Sequence, residues 1–213
     1  MTTKVPGGML DDAALEDLGG ATLAQGDVLY YNGSNLVNLG AGTSGYFLKT
    51  QGAAANPVWA AVTDNGKILQ VVNVMDGAVA TGTTVLPMDD TIPQNTEGDE
   101  YMTLAITPAS ATNKLLIEVV FYFANSAADN FTAALFQDTT AGALAAGFKQ
   151  ETADHLECIS FNHYMTTGTT SATTFKVRAG NGTAGTTTFN GQSSARLLGG
   201  VLASSITIRE ILV

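Results

Sequence analysis

The side chains best suited to catalysis or metal binding crowd into one stretch, at Asp154, His155, Glu157, Cys158 and His163. A thiol beside an imidazole could act as a nucleophile, and imidazoles with carboxylates could hold a metal. The alternation around Cys158 is typical of a strand and indicates a small buried apolar side chain. On such a strand His155 and His163 lie about 26 Å apart, too far for one metal or one base–nucleophile pair. We therefore predict structural or surface histidines and no catalytic thiol.

A second candidate is an acidic stretch, with carboxylates at Asp89, Asp90, Glu97, Asp99 and Glu100. Such oxygens can bind Ca²⁺, but the Asp-x-Asp-x-Asp-Gly spacing of a calcium loop is missing. Solvated loop acids are therefore favoured, and a bound Ca²⁺ stays open. A carboxylate pair for glycoside hydrolysis also stays open, because the fold sets the separation. Gly180-Asn181-Gly182 lacks the strand and helix of a phosphate loop and is predicted to be a turn. We predict no enzyme activity and no cofactor.

Composition narrows the class of protein further. Charged residues are 13% of the 213 residues, about half of the usual share of about 25%. The net charge is −10 and the nine Lys and Arg form no cluster, which argues against binding nucleic acid or anionic lipid. A single cysteine allows no intrachain disulfide. No run approaches the roughly 18 apolar residues of a membrane span, and residues 1–12 lack the apolar core of a signal peptide. We expect synthesis in a cytoplasm and no membrane insertion.

Among the elements that would position a site, the first are short strands in residues 26–66, which we predict to form a unit of two small hairpins. Its predicted strands are residues 28–31, 36–39, 46–48 and 58–59. The turn at residues 32–35 contains Asn32 and Gly33, which accept positive φ at little cost. Two small hairpins cannot bury their apolar residues alone. The unit is therefore expected to need neighbouring copies.

Residues 1–25 are predicted to form a separate segment. Residues 11–18 would make two helical turns, with acids near the amino end and Gly19-Gly20 as the stop. Leu10, Leu15 and Leu18 would then form a small apolar stripe. So short a helix is marginal alone, so we expect it to dock on another protein, with a frayed terminus as the alternative. Residues 63–66 are expected to be a hinge.

Residues 67–213 show short alternating runs and no convincing helix. The predicted strands are residues 67–75, 79–86, 101–106, 114–123, 131–136, 143–149, 156–166, 173–179, 186–189 and 204–213. Strands at this spacing predict an all-β domain, an antiparallel β-sandwich. A jelly roll of two packed sheets is the preferred topology, and another Greek-key order is the rival.

The first unit also carries a pattern of glycine, aromatic and Pro-x-Trp positions. The matching residues are Gly26-Asp27-x-Leu29-Tyr30-Tyr31, Gly42-Thr43-x-Gly45-x-x-Leu48-x-Thr50-x-Gly52 and Pro57-x-Trp59. This pattern resembles one copy of the repeat of tailed-bacteriophage tail fibres. Residues 67–213 resemble the β-sandwich heads of phage fibres and capsid ornaments, through residues 96–101, 108–115 and 206–211. The resemblance implies a virion protein with residues 1–25 as its anchor. It also argues against an enzyme, because depolymerase tailspikes resemble long parallel β-helices.

The resemblance further implies a trimer, and energetics supports association. Burial contributes about 25 cal/mol per Å², whereas ordering costs about 1.5 kcal/mol per residue. Two hairpins alone bury too little apolar surface to offset the free-energy cost of ordering their residues. Three copies of Tyr30, Leu36, Phe47 and Trp59 around one axis would offset that cost. The threefold order comes from the resemblance alone.

Three functions follow as hypotheses. The first is a trimeric tail fibre whose head contacts a host glycan or protein through residues 125–130, 167–171 and 181–186, where loops expose polar side chains. The second is a capsid decoration protein whose amino-terminal segment clamps and stabilises the shell. The third, a stand-alone lectin-like module, is disfavoured by the fibre repeat. Each of the first two places the protein in the virion.

Overall fold

The structure, a computed structural model, describes residues 23–62 and 66–213. The described residues form two compact units, one in each of these ranges. Both units consist of β-strands, and the described residues contain one helical element, a 3-10 turn at Leu198–Gly200. None of them belongs to a helix that is long and apolar enough to cross a membrane. The predicted amino-terminal helix and most of the predicted hinge lie outside the described residues.

The first unit consists of two antiparallel hairpins. One joins β1 (Val28–Tyr31) to β2 (Leu36–Leu39), and the other joins β3 (Tyr46–Lys49) to β4 (Val58–Ala61). In the first turn, the side-chain oxygen of Asn32 accepts the backbone N–H groups of Ser34 and Asn35, at 2.9 and 2.8 Å. Gly33 has a φ of +98°, which a residue with a Cβ rarely adopts. The hairpins therefore form where the turn residues predicted them.

Neither hairpin has an interior. No side chain within residues 23–62 is buried. Seven large apolar side chains are 37–66% exposed, namely Leu29, Tyr31, Leu36, Tyr46, Phe47, Leu48 and Val62. The unit is ordered by turns and hydrogen bonds, and its apolar surface faces outward.

The second unit contains twelve strands, of which eight are long. They are β5 (Ile68–Asp76), β6 (Ala80–Gly82), β7 (Asp99–Ile106), β8 (Lys114–Asn125), β9 (Asn130–Gln137), β10 (Ala145–Gln150), β11 (Glu157–Thr166), β12 (Thr173–Asn181), β13 (Thr187–Phe189), β14 (Gly191–Gln192), β15 (Ala195–Arg196) and β16 (Ser204–Ile211). One sheet has the order β5-β16-β8-β11, and the other has the order β7-β12-β9-β10. The short strand β13 joins the far end of β8 to β6.

The strand order defines the topology. With the eight long strands counted in chain order, the sheets read 1-8-3-6 and 2-7-4-5. This antiparallel interleaving is that of the eight-stranded jelly roll. The predicted all-β jelly-roll fold is confirmed, and β16 lies inside its sheet between β5 and β8.

The core fills the space between these two sheets. Strand β8 contributes every second residue, with Leu115, Ile117, Val119, Phe121 and Phe123 almost fully buried. Phe123 stacks on Phe131 with ring centroids 3.5 Å apart, and Tyr101 meets Phe121 edge-on at 5.4 Å. Each such side chain contributes about 1.5–3 kcal/mol through burial. The alternation that predicted β8 therefore also identified its inward face.

Residues 83–98 cover part of the outer face of the sheet β7-β12-β9-β10. Leu86 is fully buried there against Ala134 and Phe136. Arg178 fixes the end of this segment by donating to the backbone carbonyls of Glu97 and Gly98, at 2.9 and 2.6 Å. The predicted strand 79–86 is therefore largely wrong, because only Ala80–Gly82 pairs as β6 and Leu86 crosses to the other sheet.

Candidate functional site

Asp27 ties three parts of the first unit together. Its carboxylate accepts the backbone N–H of Ala24 at 3.0 Å, the side-chain amide of Asn38 at 2.8 Å and the backbone N–H of Ala41 at 3.1 Å. These bonds, above all that from Ala24, hold the pKa of Asp27 below its usual range. Gly26 has a φ of +93°, and an added Cβ would lie 3.1 Å from that of Ala41. Gly26 and Asp27 thus join the start of β1 to the segment before β3.

Trp59 provides the second tie. Its indole N–H donates to the carbonyl of Gly40 at 2.6 Å. Its ring covers Gly42, where a Cβ would come within 2.6 Å of the ring carbons. No other residue type fits at position 42 without displacing the indole. The glycine at position 42 therefore has a direct steric cause.

The four predicted trimer contacts do not share one face. The register pairs are Tyr30–Val37, Tyr31–Leu36, Phe47–Ala60 and Leu48–Trp59. Cross-strand partners share a face and successive residues alternate, so Tyr30 and Leu36 lie on opposite faces of their hairpin. Phe47 and Trp59 are divided in the same way. Leu36 and Phe47 are exposed, whereas Tyr30 and Trp59 are half-buried.

Two of the three predicted recognition loops meet at one end of the second unit. Residues 125–130 follow β8, and residues 181–186 follow the last paired residues of β12. The connecting bonds are Ser126 N–H to the Thr186 carbonyl, 2.9 Å, and Thr183 N–H to the Asp129 carboxylate, 2.6 Å. The Thr183 hydroxyl gives the Asp129 carboxylate a further bond at 2.7 Å. The two loops form one braced surface.

The third predicted loop, residues 167–171, lies elsewhere. The backbone N–H of Thr167 donates to the carbonyl of Asn113, directly before β8 begins, at 3.0 Å. The first two loops lie where β8 ends. The three loops therefore cannot form a single recognition surface.

Sequence reasoning missed two loops that join this cluster. In residues 151–155, the backbone N–H of Asp154 donates to the carbonyl of Asn125 at 2.7 Å. In the hairpin β14–β15, the Gln192 side-chain amide donates to the Asp154 carbonyl, and the Ser193 hydroxyl donates to its carboxylate at 3.2 Å. Asp154 and Ser193 have positive φ although neither is a glycine, and the hydrophobic pattern does not predict such a conformation.

Glu151 lies beneath this loop cluster and is only 5% exposed. One carboxylate oxygen accepts the backbone N–H of Asn125 at 3.0 Å, and the other has no hydrogen-bond partner among the described residues. Burial raises the pKa of Glu151 to about 7. The nearby charges of Glu157 and Asp154 act in the same direction, whereas the Asn125 N–H and the Lys149 ammonium oppose it.

The first chemical candidates do not gather into a site. His155 precedes β11 and is exposed, whereas His163 lies within β11, half-buried, with a pKa lowered by burial. Cys158 is exposed, so the prediction of a buried thiol is wrong. Ile159 is buried and points into the core. Successive residues of a strand point to opposite faces, so its neighbour Cys158 points to the outer face.

The acidic candidates also serve local structure. Asp99 lies in β7 rather than in a loop, and its carboxylate accepts the N–H and hydroxyl of Thr84 at 2.9 and 2.7 Å. Among the described residues, no three or more His, Cys, Asp or Glu side chains are close enough to hold a metal ion. The predicted virion anchor at Leu10, Leu15 and Leu18 lies outside the described residues.

Comparison with known proteins gives a structural likeness only. No family model and no curated protein matches the chain. The structure of Eiger TNF from S. frugiperda has a TM-score of 0.40 at 10% identity, over 67% of this chain and 93% of that one. Murine APRIL has a TM-score of 0.38 at 10% identity, over 67% and 98%. The infectious bursal disease virus VP2 subviral particle has a TM-score of 0.33 at 10% identity, over 84% of this chain and 44% of that one.

Proposed function

We propose that the protein is a homotrimeric structural component of a tailed-bacteriophage virion, a tail fibre whose second unit contacts the host surface. One observation carries this proposal: the first unit has regular hairpins and ordered turns but no buried residue. Such a unit gains its interior when copies associate through their exposed apolar side chains. The repeat pattern around Asp27, Gly42 and Trp59 supports the phage assignment, because those residues join the two hairpins.

Host contact would fall on the braced loop cluster at the end of the second unit. Residues 125–130 and 181–186 present hydroxyl, amide and backbone groups there, and hydrogen bonds between the loops fix their positions. Groups held in place bind a glycan or a protein with a smaller loss of entropy. Residues 1–25 would attach the protein to another virion component.

The second candidate function is capsid decoration. Strands of four residues span only about 13 Å, and the chain carries one repeat, so the first unit provides little reach. A short appendage suits a protein that remains close to the shell. There, residues 1–25 would clamp capsid subunits and the second unit would project from the surface.

Two measurements separate these functions. Immunogold electron microscopy with antibody against the chain would label the tail of a particle for a fibre and the shell for a decoration protein. Purified full-length protein, added in excess to host cells, should reduce phage adsorption if it is a fibre. Labelling confined to the shell, with adsorption unchanged at saturating protein, would contradict the fibre proposal and support the alternative.

A further inference from the structure

The two sheets of the second unit differ in how their outer faces are covered. Residues 83–98 cover part of the outer face of the sheet β7-β12-β9-β10 through the buried Leu86, and Phe148 stays exposed beside them. On the outer face of the sheet β5-β16-β8-β11, by contrast, Val71 is 54% exposed, Met75 70% and Tyr164 56%. We call this second surface the open face.

The register places the outward side chains of the open face in rows across four strands. These rows are Val71–Arg209–Leu116–Tyr164, Asn73–Thr207–Glu118–Asn162 and Met75–Ser205–Val120–Ser160. A shallow depression in this face lies between β8 and β11 and is lined by Glu118, Val120, Ser160 and Asn162. Longer apolar side chains rise at the margins, on β5 and on Tyr164. A sheet face with a shallow hollow and apolar margins can pack against another sheet.

The charges of the open face favour a second copy of the chain as its partner. Its charged side chains are Lys114, Arg209 and Glu118, and Arg209 forms an ion pair with Glu118. Two cations and one carboxylate give this face a charge of +1, whereas the whole chain carries −10. The rest of the chain therefore carries −11 and would repel a copy of itself, but three open faces can meet around one axis without that repulsion.

The dimensions also fit self-association. Four strands of about ten residues cover about 600 Å², somewhat less than the roughly 800 Å² that each partner buries in an ordinary stable interface. Only residues 62–67 separate β4 from β5. Copies joined through their first units would therefore hold their second units at an effective concentration on the order of millimolar, which compensates for the modest area.

We propose that the open face is the surface through which the second units of the homotrimer pack against one another. This inference rests on the proposed function, since it takes the other copies of the chain as the occupant. It assigns subunit contacts to Val71, Met75 and Tyr164.

Cys158 provides a native reporter of this contact. It is the single cysteine of the chain, it is exposed, and it lies opposite Tyr122 on the outer face of β11. A bulky maleimide should label Cys158 slowly in the assembled wild type. In the double variant V71E/M75E, which adds two charges to the open face, labelling should be about tenfold faster because the thiol becomes accessible. Tyr164→Glu, on another strand, should act in the same direction.

The matched control is M88E/V201E, which adds the same charge at exposed apolar positions outside the open face. It should leave the labelling rate unchanged, and circular dichroism should show that every variant is folded. Light scattering on the same samples separates the possible failures. An assembled wild type whose Cys158 reacts as fast as in V71E/M75E would overturn the open-face contact and leave the homotrimer intact. A wild type that is monomeric would overturn both.

Discussion

Two buried glutamates have pKa values shifted in opposite directions, because their hydrogen-bond partners differ. Glu151 receives one backbone N–H, and its pKa rises to about 7. Burial acts on Glu210 in the same sense, but hydrogen bonds from Gln70 at 2.5 Å, Asn113 at 2.6 Å and the Ala109 N–H at 2.9 Å outweigh it. The pKa of Glu210 is therefore lowered. Glu210 binds the β7–β8 connection to the last strand.

Glu151 should make the protein less stable as pH rises toward neutrality. The folded state keeps the proton up to about pH 7, whereas the unfolded state releases it near pH 4.5. Stability is therefore unaffected below pH 4.5 and falls between these values, by about 3 kcal/mol in all. Glu151→Gln, which does not titrate, should lack this fall and be more stable than wild type at pH 8. Urea unfolding between pH 4 and pH 9 measures the difference.

Glu210→Gln is the matched control, with the opposite sign. A lowered pKa contributes stability above the ordinary value that is lost as pH falls below it. The amide should therefore weaken the protein at neutral pH and reduce its sensitivity to acid, because an NH₂ group replaces one of two oxygens that each accept two hydrogen bonds. If both variants showed the wild-type dependence of stability on pH, the pKa shifts described for Glu151 and Glu210 would be contradicted.

The alternation of apolar and polar residues predicted the long strands well. The elements that it did not predict depend on tertiary packing. In β8 the inward residues repeat at every second position from Leu115 to Phe123, so period and burial agree. Leu86 looked equally strand-like, yet it caps the outside of the other sheet. The hairpin β14–β15 has two residues in each strand, too few for any period. The alternation of β11 fits either orientation of the strand, so the pattern alone does not show that Cys158 lies on its outer face.

The turn between β14 and β15 should be improved by glycine. Ser193 and Ser194 both have positive φ, 48° and 62°, the type I′ arrangement that favours Asn-Gly. Ser194→Gly should stabilise the protein by about 0.5 kcal/mol, because glycine adopts this conformation without strain. It retains the backbone N–H that donates to the Thr188 hydroxyl. Ser194→Ala should give no gain in the same urea titration, and equal stability of the two variants would contradict the strain argument.

Gly42→Ala should disrupt the first unit selectively. The new methyl group would lie 2.6 Å from the Trp59 ring, so the indole must move away and lose its bond to Gly40. Trp59 is the single tryptophan, so its fluorescence should shift to the red and broaden. Gly40→Ala is the matched control, since its nearest neighbour is the Asp27 carboxylate at 3.9 Å and its φ is not positive. Identical spectra for the two variants would show that the Gly42–Trp59 contact is not needed.

The chain combines a unit that has a core with a unit that lacks one. The second unit buries aromatic and aliphatic side chains from both sheets, so the jelly roll has its own interior. The turn residues predict the two hairpins of the first unit, but the sequence does not show which face of each hairpin is apolar. The register shows that Tyr30 and Leu36 lie on opposite faces. A contact surface through Leu36 would therefore also include its exposed neighbour Tyr31.

The stability of the first unit should therefore depend on protein concentration, whereas a self-contained hairpin pair would unfold at a fixed temperature. Association stabilises the folded state by mass action, so a hundredfold increase in concentration should raise the Trp59 unfolding midpoint by roughly 5–10 °C. The double variant Y31S/L36S should lower the midpoint and weaken its concentration dependence, because it removes exposed apolar contacts without touching the ties at Asp27 and Trp59. Fluorescence-detected melting of the full chain measures both effects. A wild-type midpoint independent of concentration would mean that the hairpins are stable without partner copies, and the fibre proposal would lose its main support.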